Sequence, residues 1–321
     1  MRLDHKHEHF CTLFNSKFLP MGLALYESLR QHYGEHFTLW VICMDETLED
    51  YFQRLNLKQI RGIPLRQIED QDLLQAKQTR SFQEYCWTVT PFTFSAVFSA
   101  DHGIQRVTYL DADLYFFQRA DLLFQELEDS GKDILITEHA YAPEYDYSEV
   151  LGRFCVQFIT VKRTEKAQKI IEIWQKQCLE WCYSYPDAGR FGDQKYLDQW
   201  PTEFPNSVHI LEDQQLALAP WNASYIARIR GSLVPVFYHF HGFRIFSERK
   251  ARAFFGYRIC PAAEVFYLAY VQHLRSILMR INQHGIATPL IPLSPESLHW
   301  KLPFRLIARR FRKEVKYYAL K

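Results

Sequence analysis

Apolar and polar positions along the first 250 residues alternate between two spacings. Phe10 to Phe14 is a short, mostly apolar run broken by Asn15 and Ser16, and it predicts a buried strand. Leu19, Leu23, Tyr26, Leu29 and Tyr33 recur at three- and four-residue intervals and predict a helix. Phe37 to Met44 predicts a second strand, Leu48 to Leu55 a helix and Lys58 to Leu65 a third strand. This β-α-β-α-β order predicts a mostly parallel sheet with helices on its faces. The amphipathic stretch from Leu73 to Phe98 predicts two helices. A strand at Arg106 to Tyr109 then runs into Leu110-Asp111-Ala112-Asp113. Asp121 is placed to cap a helix over Leu122 to Glu128. Asp133–Thr137, Phe154–Val161, Val208–Leu211 and Val234–Phe240 predict further strands, and Glu165–Trp181 a helix. Beyond Phe246 the pattern turns helical and basic, and no internal repeat is visible.

Composition narrows the class. A chain of 321 residues with 48% hydrophobic and 16% aromatic content can bury a real core, in one large α/β domain with an appendage or in two domains. Net charge is +1, but residues 301–321 hold eight Lys/Arg against one acid, Glu314, leaving 30 basic against 36 acidic residues upstream. A body near −6 excludes nucleic acid as the partner and gives the basic tail a job of its own. Seven cysteines without a CxxC pair predict reduced thiols rather than structural zinc, and Cys178 and Cys182 lie one helical turn apart. Met1 to His9 lacks the apolar stretch of a signal peptide, and no apolar run spans a membrane. A cytoplasmic location is expected.

Three segments carry candidate chemistry. In Tyr109-Leu110-Asp111-Ala112-Asp113-Leu114, alternation puts both carboxylates on one side of an apolar chain. Two bare carboxylates there lose hydration and repel, and a hard cation such as Mg²⁺ or Mn²⁺ resolves both problems. The bland alternative is a turn in which one Asp caps a helix. In Phe237-Tyr238-His239-Phe240-His241-Gly242-Phe243-Arg244, an imidazole could complete such a metal shell. Gly242 allows close backbone approach to phosphate, and Arg244, with Lys250 behind it, could neutralise a diphosphate. The alternative is a pair of core or surface histidines. In Gly189-Arg190-Phe191-Gly192-Asp193-Gln194-Lys195, Asp193 is either a helix cap or a group beside reacting substrate.

Taken in order, these segments resemble GT-A-type nucleotide-sugar glycosyltransferases, most of all glycosyltransferase family 8 and its bacterial relatives. The resemblance spans Phe10 to Lys250. It implies a Rossmann-like mixed sheet as a catalytic domain over 1–250, followed by a helical extension over 251–321. It implies Asp111, Asp113 and His239 as ligands of Mn²⁺ or Mg²⁺, with His241 a rival on the same strand face. It implies Phe14, Asn15 and Phe18 at the nucleoside, and Ala112, Trp221, Asn222, Gly242 and Arg244 as further donor contacts. Asp193 and Gln194 would line the reacting carbon. The implied reaction moves a hexose, retaining its configuration, from a UDP-sugar to a hydroxyl on a glycan or lipid-linked acceptor. Asn15 and Phe18 replace the family's usual Asp and Tyr, Arg244-Ile245 ends a segment that usually ends in Lys, and Phe154-Cys155-Val156-Gln157-Phe158 stands where an Asn- and Gly-containing strand is common. These departures point to a divergent branch. The rivals are a sugar nucleotidyltransferase, against which the glycine-free first loop counts, and a non-catalytic sugar-nucleotide binder. As a helix, Leu302 to Lys321 would present one aromatic-aliphatic side and one basic side, fit for an anionic membrane surface at the inner face or for docking on the acidic body.

Overall fold

The computed structural model describes residues 7–291, residue 309 and residues 313–320. In chain order the elements are β1 (Glu8–Phe14), α1 (Leu19–Tyr33), β2 (Phe37–Cys43), α2 (Glu46–Leu55), β3 (Ile60–Pro64), α3 (Gln71–Thr79), α4 (Phe82–Val89), α5 (Phe92–Ala100), β4 (Arg106–Leu110) and β5 (Leu114–Phe116). There follow α6 (Asp121–Asp129), β6 (Ile134–Glu138), α7 (Ser148–Leu151), β7 (Phe154–Lys162), α8 (Glu165–Glu180), α9 (Trp200–Glu203), β8 (Val208–Ile210), β9 (Ala217–Leu218) and α10 (Ala223–Arg230). The chain closes with β10 (Phe237–His239), β11 (Arg244–Ser247), β12 (Lys250–Phe255), α11 (Pro261–Gln283) and β13 (Val315–Ala319).

Seven strands form the main sheet in the order β3-β2-β1-β4-β7-β6-β8. All pairs are parallel except those of β7, which runs antiparallel to both β4 and β6. Side chains alternate between faces, so consecutive residues enter different cores. Phe10, Leu110 and Phe158 pack with α1 and α11, whereas Cys11, Tyr109 and Ile159 pack with α4, α5 and α8. Reversing β7 brings its first residues to the edge where β1, β4 and β6 end, and ligands of open α/β sheets bind at that edge. A small sheet, β5-β10-β9, continues from β4, and a third, β11-β12-β13, follows it.

Several expectations need correction. The Leu73–Phe98 stretch is three helices, because Ser81 and Glu84 form a capping box that starts α4 and Pro91 sits before α5. Asp121 is the first residue of α6 and makes no cap bond; its carboxylate accepts from Arg119 Nε at 2.7 Å. The chain beyond Phe246 is not helical at once, since β11 and β12 form a hairpin before α11. Within the basic tail, Val315–Ala319 is not helix but a strand paired with β12; 301–308, 310–312 and 321 lie outside the described residues.

Candidate active site

β4 ends at Leu110, and the chain turns through Asp111-Ala112-Asp113 into β5. The turn is pinned from both sides: Asp111 N–H donates to Gln157 O at 3.0 Å, and Leu114 N–H donates to Asp111 O at 3.1 Å. β10 pairs antiparallel with β5 in a register that sets His239 opposite Leu114. That register carries the imidazole to the carboxylates, with Nε2 3.0 Å from Asp113 Oδ1 and 3.7 Å from Asp111 Oδ2. The other ring nitrogen, Nδ1, lies 2.8 Å from Gln157 Oε1. A proton on Nδ1 donated to that amide oxygen turns Nε2 toward the acids; without a cation Nε2 donates a second proton to Asp113 Oδ1, and a cation would take that proton's place. One ligand atom from each of the three side chains falls within 4.8 Å of the others. Two carboxylates and a neutral imidazole suit a hard to borderline divalent cation. His241 does not join the cluster, and its ring packs edge-on against Trp221.

The three groups stand in the floor of a cleft of about 1030 Å³. Phe14, Asn15 and Phe18, from the end of β1 and the loop after it, line this cleft. Ala112, Trp221, Arg244, Asp193 and Gln194 also line it. Asp193 makes no side-chain cap bond, so capping does not explain it. Gln194 is tied by Nε2 to Leu151 O at 2.6 Å. Two expected contacts stand apart. Asn222 is fully buried, and its amide is spent on backbone, accepting from Ala219 N–H and donating to His139 O and Ala217 O. Gly242 shapes the turn after β10 at φ +76° and does not line the cleft.

No protein-family model matches the chain. It is 33% identical over 252 residues to YfnF of Bacillus subtilis (strain 168), a match covering 74% of this chain and 82% of that one. The chain belongs to the YfnF family. YfnD of the same organism is 29% identical over 279 residues, covering 83% and 88% of the two chains. Both relatives are described as uncharacterized, so membership by itself carries no activity. Among solved structures, the galactosyltransferase LgtC in complex with donor and acceptor sugar analogs superposes with a TM-score of 0.54 over 90% of this chain and 98% of that one, at 14% identity. The apo glycosyltransferase GlyE of Streptococcus pneumoniae TIGR4 gives 0.50 over 90% and 66%, at 13% identity. The YfnF-family chain therefore has the GT-A glycosyltransferase fold, as its motifs implied.

Electrostatics set this YfnF-family site under strain. Lost hydration is the largest influence on Asp111 and, with the charge of Asp113 added, moves its carboxyl up to about 6 against the pull of His239. Burial pushes Asp113 the same way, but the charge and hydrogen bond of His239 outweigh it and hold the carboxyl well below its usual range. Burial alone would lower His239, yet Asp113 raises it well above the ordinary imidazole value. Burial, followed by the charge of Asp111, lifts Asp193 to about 8.

Sequence reasoning missed the residues that support this centre. Gln157, in the middle of β7, holds both the Asp111 backbone and His239. His139 and Tyr141, past the end of β6, stack at 4.5 Å and flank Trp221. Only the reversal of β7, which no local pattern announces, brings Gln157 to the site.

Proposed function

We propose that the protein is a metal-dependent glycosyltransferase that moves a hexose from a nucleotide-diphosphate sugar, a UDP-sugar, to a hydroxyl of a cell-surface glycan or glycolipid precursor. The observation that carries this reading is the Asp111–Asp113–His239 cluster in the floor of the cleft, on a GT-A sheet. Asp111, Asp113 and His239 would hold Mn²⁺ or Mg²⁺, which when bound supplies Lewis-acid stabilisation of the leaving diphosphate. Gln157 keeps the His239 ring turned toward the acids. Phe14, Asn15 and Phe18 receive the nucleoside, and Arg244 adds positive charge where negative charge develops. The bond from the anomeric carbon to the diphosphate oxygen breaks as the acceptor oxygen bonds to that carbon, and the acceptor's proton leaves with a diphosphate oxygen on the same face. That course retains configuration. Asp193 and Gln194 line the reacting carbon, and burial raises the Asp193 carboxyl, which favours hydrogen-bond donation to the sugar over action as a base.

No helix among the described residues is long and apolar enough to cross a membrane. We place the reaction at the cytoplasmic face, with the basic residues of 301–312 as the contact for an anionic surface.

A panel of UDP- and GDP-sugars tests the reading by Mn²⁺-dependent release of nucleoside diphosphate. Release from one sugar is expected, with Asp113→Ala lowering it by about 100-fold or more, the scale of losing a charge-stabilising group. Turnover unaffected by chelator and by Asp113→Ala rejects it. Pyrophosphate as the product would mark a nucleotidyltransferase instead.

A further inference from the structure

β11 and β12 pair so that Arg244 stands directly opposite Arg252. Opposed residues of an antiparallel pair share one face, with Cβ atoms about 5 Å apart, and like charges there destabilise the sheet. Relief is partial: the charge of Asp113 acts on Arg244, but among the described residues neither guanidinium makes an ion pair with a carboxylate. Arg244 donates only to the Phe243 carbonyl, at 2.7 Å. Arg252 Nε is buried without a hydrogen-bond partner. Both side chains line the cleft that holds Asp113. Rings hold them in place, Arg244 lying 5.4 Å from the Phe18 centroid and Arg252 5.5 Å from Phe246 and 4.9 Å from Phe255. On the far side of Arg252, β13 sets Tyr317 opposite it, so a row Arg244–Arg252–Tyr317 crosses the third sheet. Two desolvated guanidinium forks on one face, neither in an ion pair among the described residues, form a template for phosphate oxygens.

We propose that Arg244 and Arg252 form one two-guanidinium site that grips the diphosphate of a nucleotide ligand, with Arg252 as a positioning residue. The proposal rests on the nucleotide-sugar reading for the identity of the ligand, whereas the anion chemistry stands on the cross-strand pair. Arg252 touches the phosphates equally before and during bond breaking, so it acts on donor binding more than on the chemical step.

The test is titration calorimetry of the full chain with inorganic pyrophosphate and with UDP, each in EDTA and in Mn²⁺. The wild type is expected to bind both without metal. Arg252→Gln should weaken both in EDTA by about tenfold or more, the scale of one charge-assisted contact, and Arg252→Lys by less. Arg230→Gln, at the exposed end of α10, controls for net charge and should leave binding unchanged. Without ligand, Arg252→Gln should melt at or above the wild-type temperature, because one of two opposed charges is gone. A lower midpoint overturns the unmatched-charge argument. Equal pyrophosphate affinity in wild type and Arg252→Gln, or an equal loss in Arg230→Gln, overturns the site. Arg252-dependent pyrophosphate binding in a protein that turns over no nucleotide sugar keeps the site and rejects the transferase. Mn²⁺-dependent turnover with a donor KM unmoved by Arg252→Gln does the reverse.

Discussion

Gln157 has no charge and no motif, yet it settles which nitrogen of His239 is offered to a cation. Removing such a partner of a liganding imidazole typically costs 10- to 100-fold in metal affinity, about 1.4–3 kcal/mol. Gln157→Leu is therefore expected to weaken Mn²⁺ binding on that scale, read by calorimetry without substrate, while Gln157→Glu retains more of it. A different signature belongs to His139. Burial is the main cause that lowers it to about 3, so the folded protein resists protonating it while the unfolded chain takes up a proton at about 6.5. Between these values the unfolded state binds more protons, so this contribution to stability is full above pH 6.5 and falls as the pH drops toward 3. The slope reaches about 1.4 kcal/mol per pH unit. His139→Phe, which keeps the stack on Tyr141, should flatten the pH dependence of denaturant-measured stability over that window. At this scale the grouping of Asp111, Asp113 and His239 was legible in the sequence because each carries its chemistry openly, the acids in the turn after an apolar strand and the histidine at the end of another. Asn222 misled because an amide in a promising segment can be consumed by backbone. Gln157 and Arg252 were invisible because their meaning lies in what stands across from them.

At the level of elements, close contact between β1 and α1 shapes the cleft wall at Phe14, where the proposed nucleoside would sit. A Cβ at Gly22 would come within 2.3 Å of the Phe14 ring, and Phe14 lines the cleft. Gly22→Ala should drive that ring into the nucleoside position, lowering stability by about 1–3 kcal/mol. Donor KM should rise with kcat nearly unchanged, which a donor-concentration series would measure. The long helices followed from apolar periodicity, and the strands from mostly apolar runs, since β1, β2, β4 and β7 are largely buried on both faces. The error in Leu73–Phe98 arose because Ser81 and Pro91 interrupt one continuous amphipathic pattern, and the pattern alone carries no breaks. The β11–β12 hairpin was missed for a related reason: beyond Phe246 its basic residues read as a helix, whereas Arg249 and Lys250 sit exposed at the hairpin turn and Arg252 lines the cleft.

For the whole molecule, the C-terminal segment is part of the sheet that lines the cleft. β13 completes the sheet that carries Arg244 and Arg252, and Lys316 and Tyr318 reach Glu264 on α11. Deleting residues 313–321 is therefore expected to lower the melting temperature and weaken nucleotide binding together. A test of membrane attachment should instead exchange the basic residues of 301–312 for glutamine in the full chain, with co-sedimentation on anionic vesicles as the measurement. Retained binding would place any lipid contact elsewhere.

The β5–β10 ladder joins two stretches of chain that lie more than a hundred residues apart, and the cluster sits on that seam. A cation held there would stitch the seam shut. Amides of Leu114–Phe116 and Phe237–His239 should then exchange with deuterium more slowly in Mn²⁺ than in chelator, while those of β2 and β3 keep their rates.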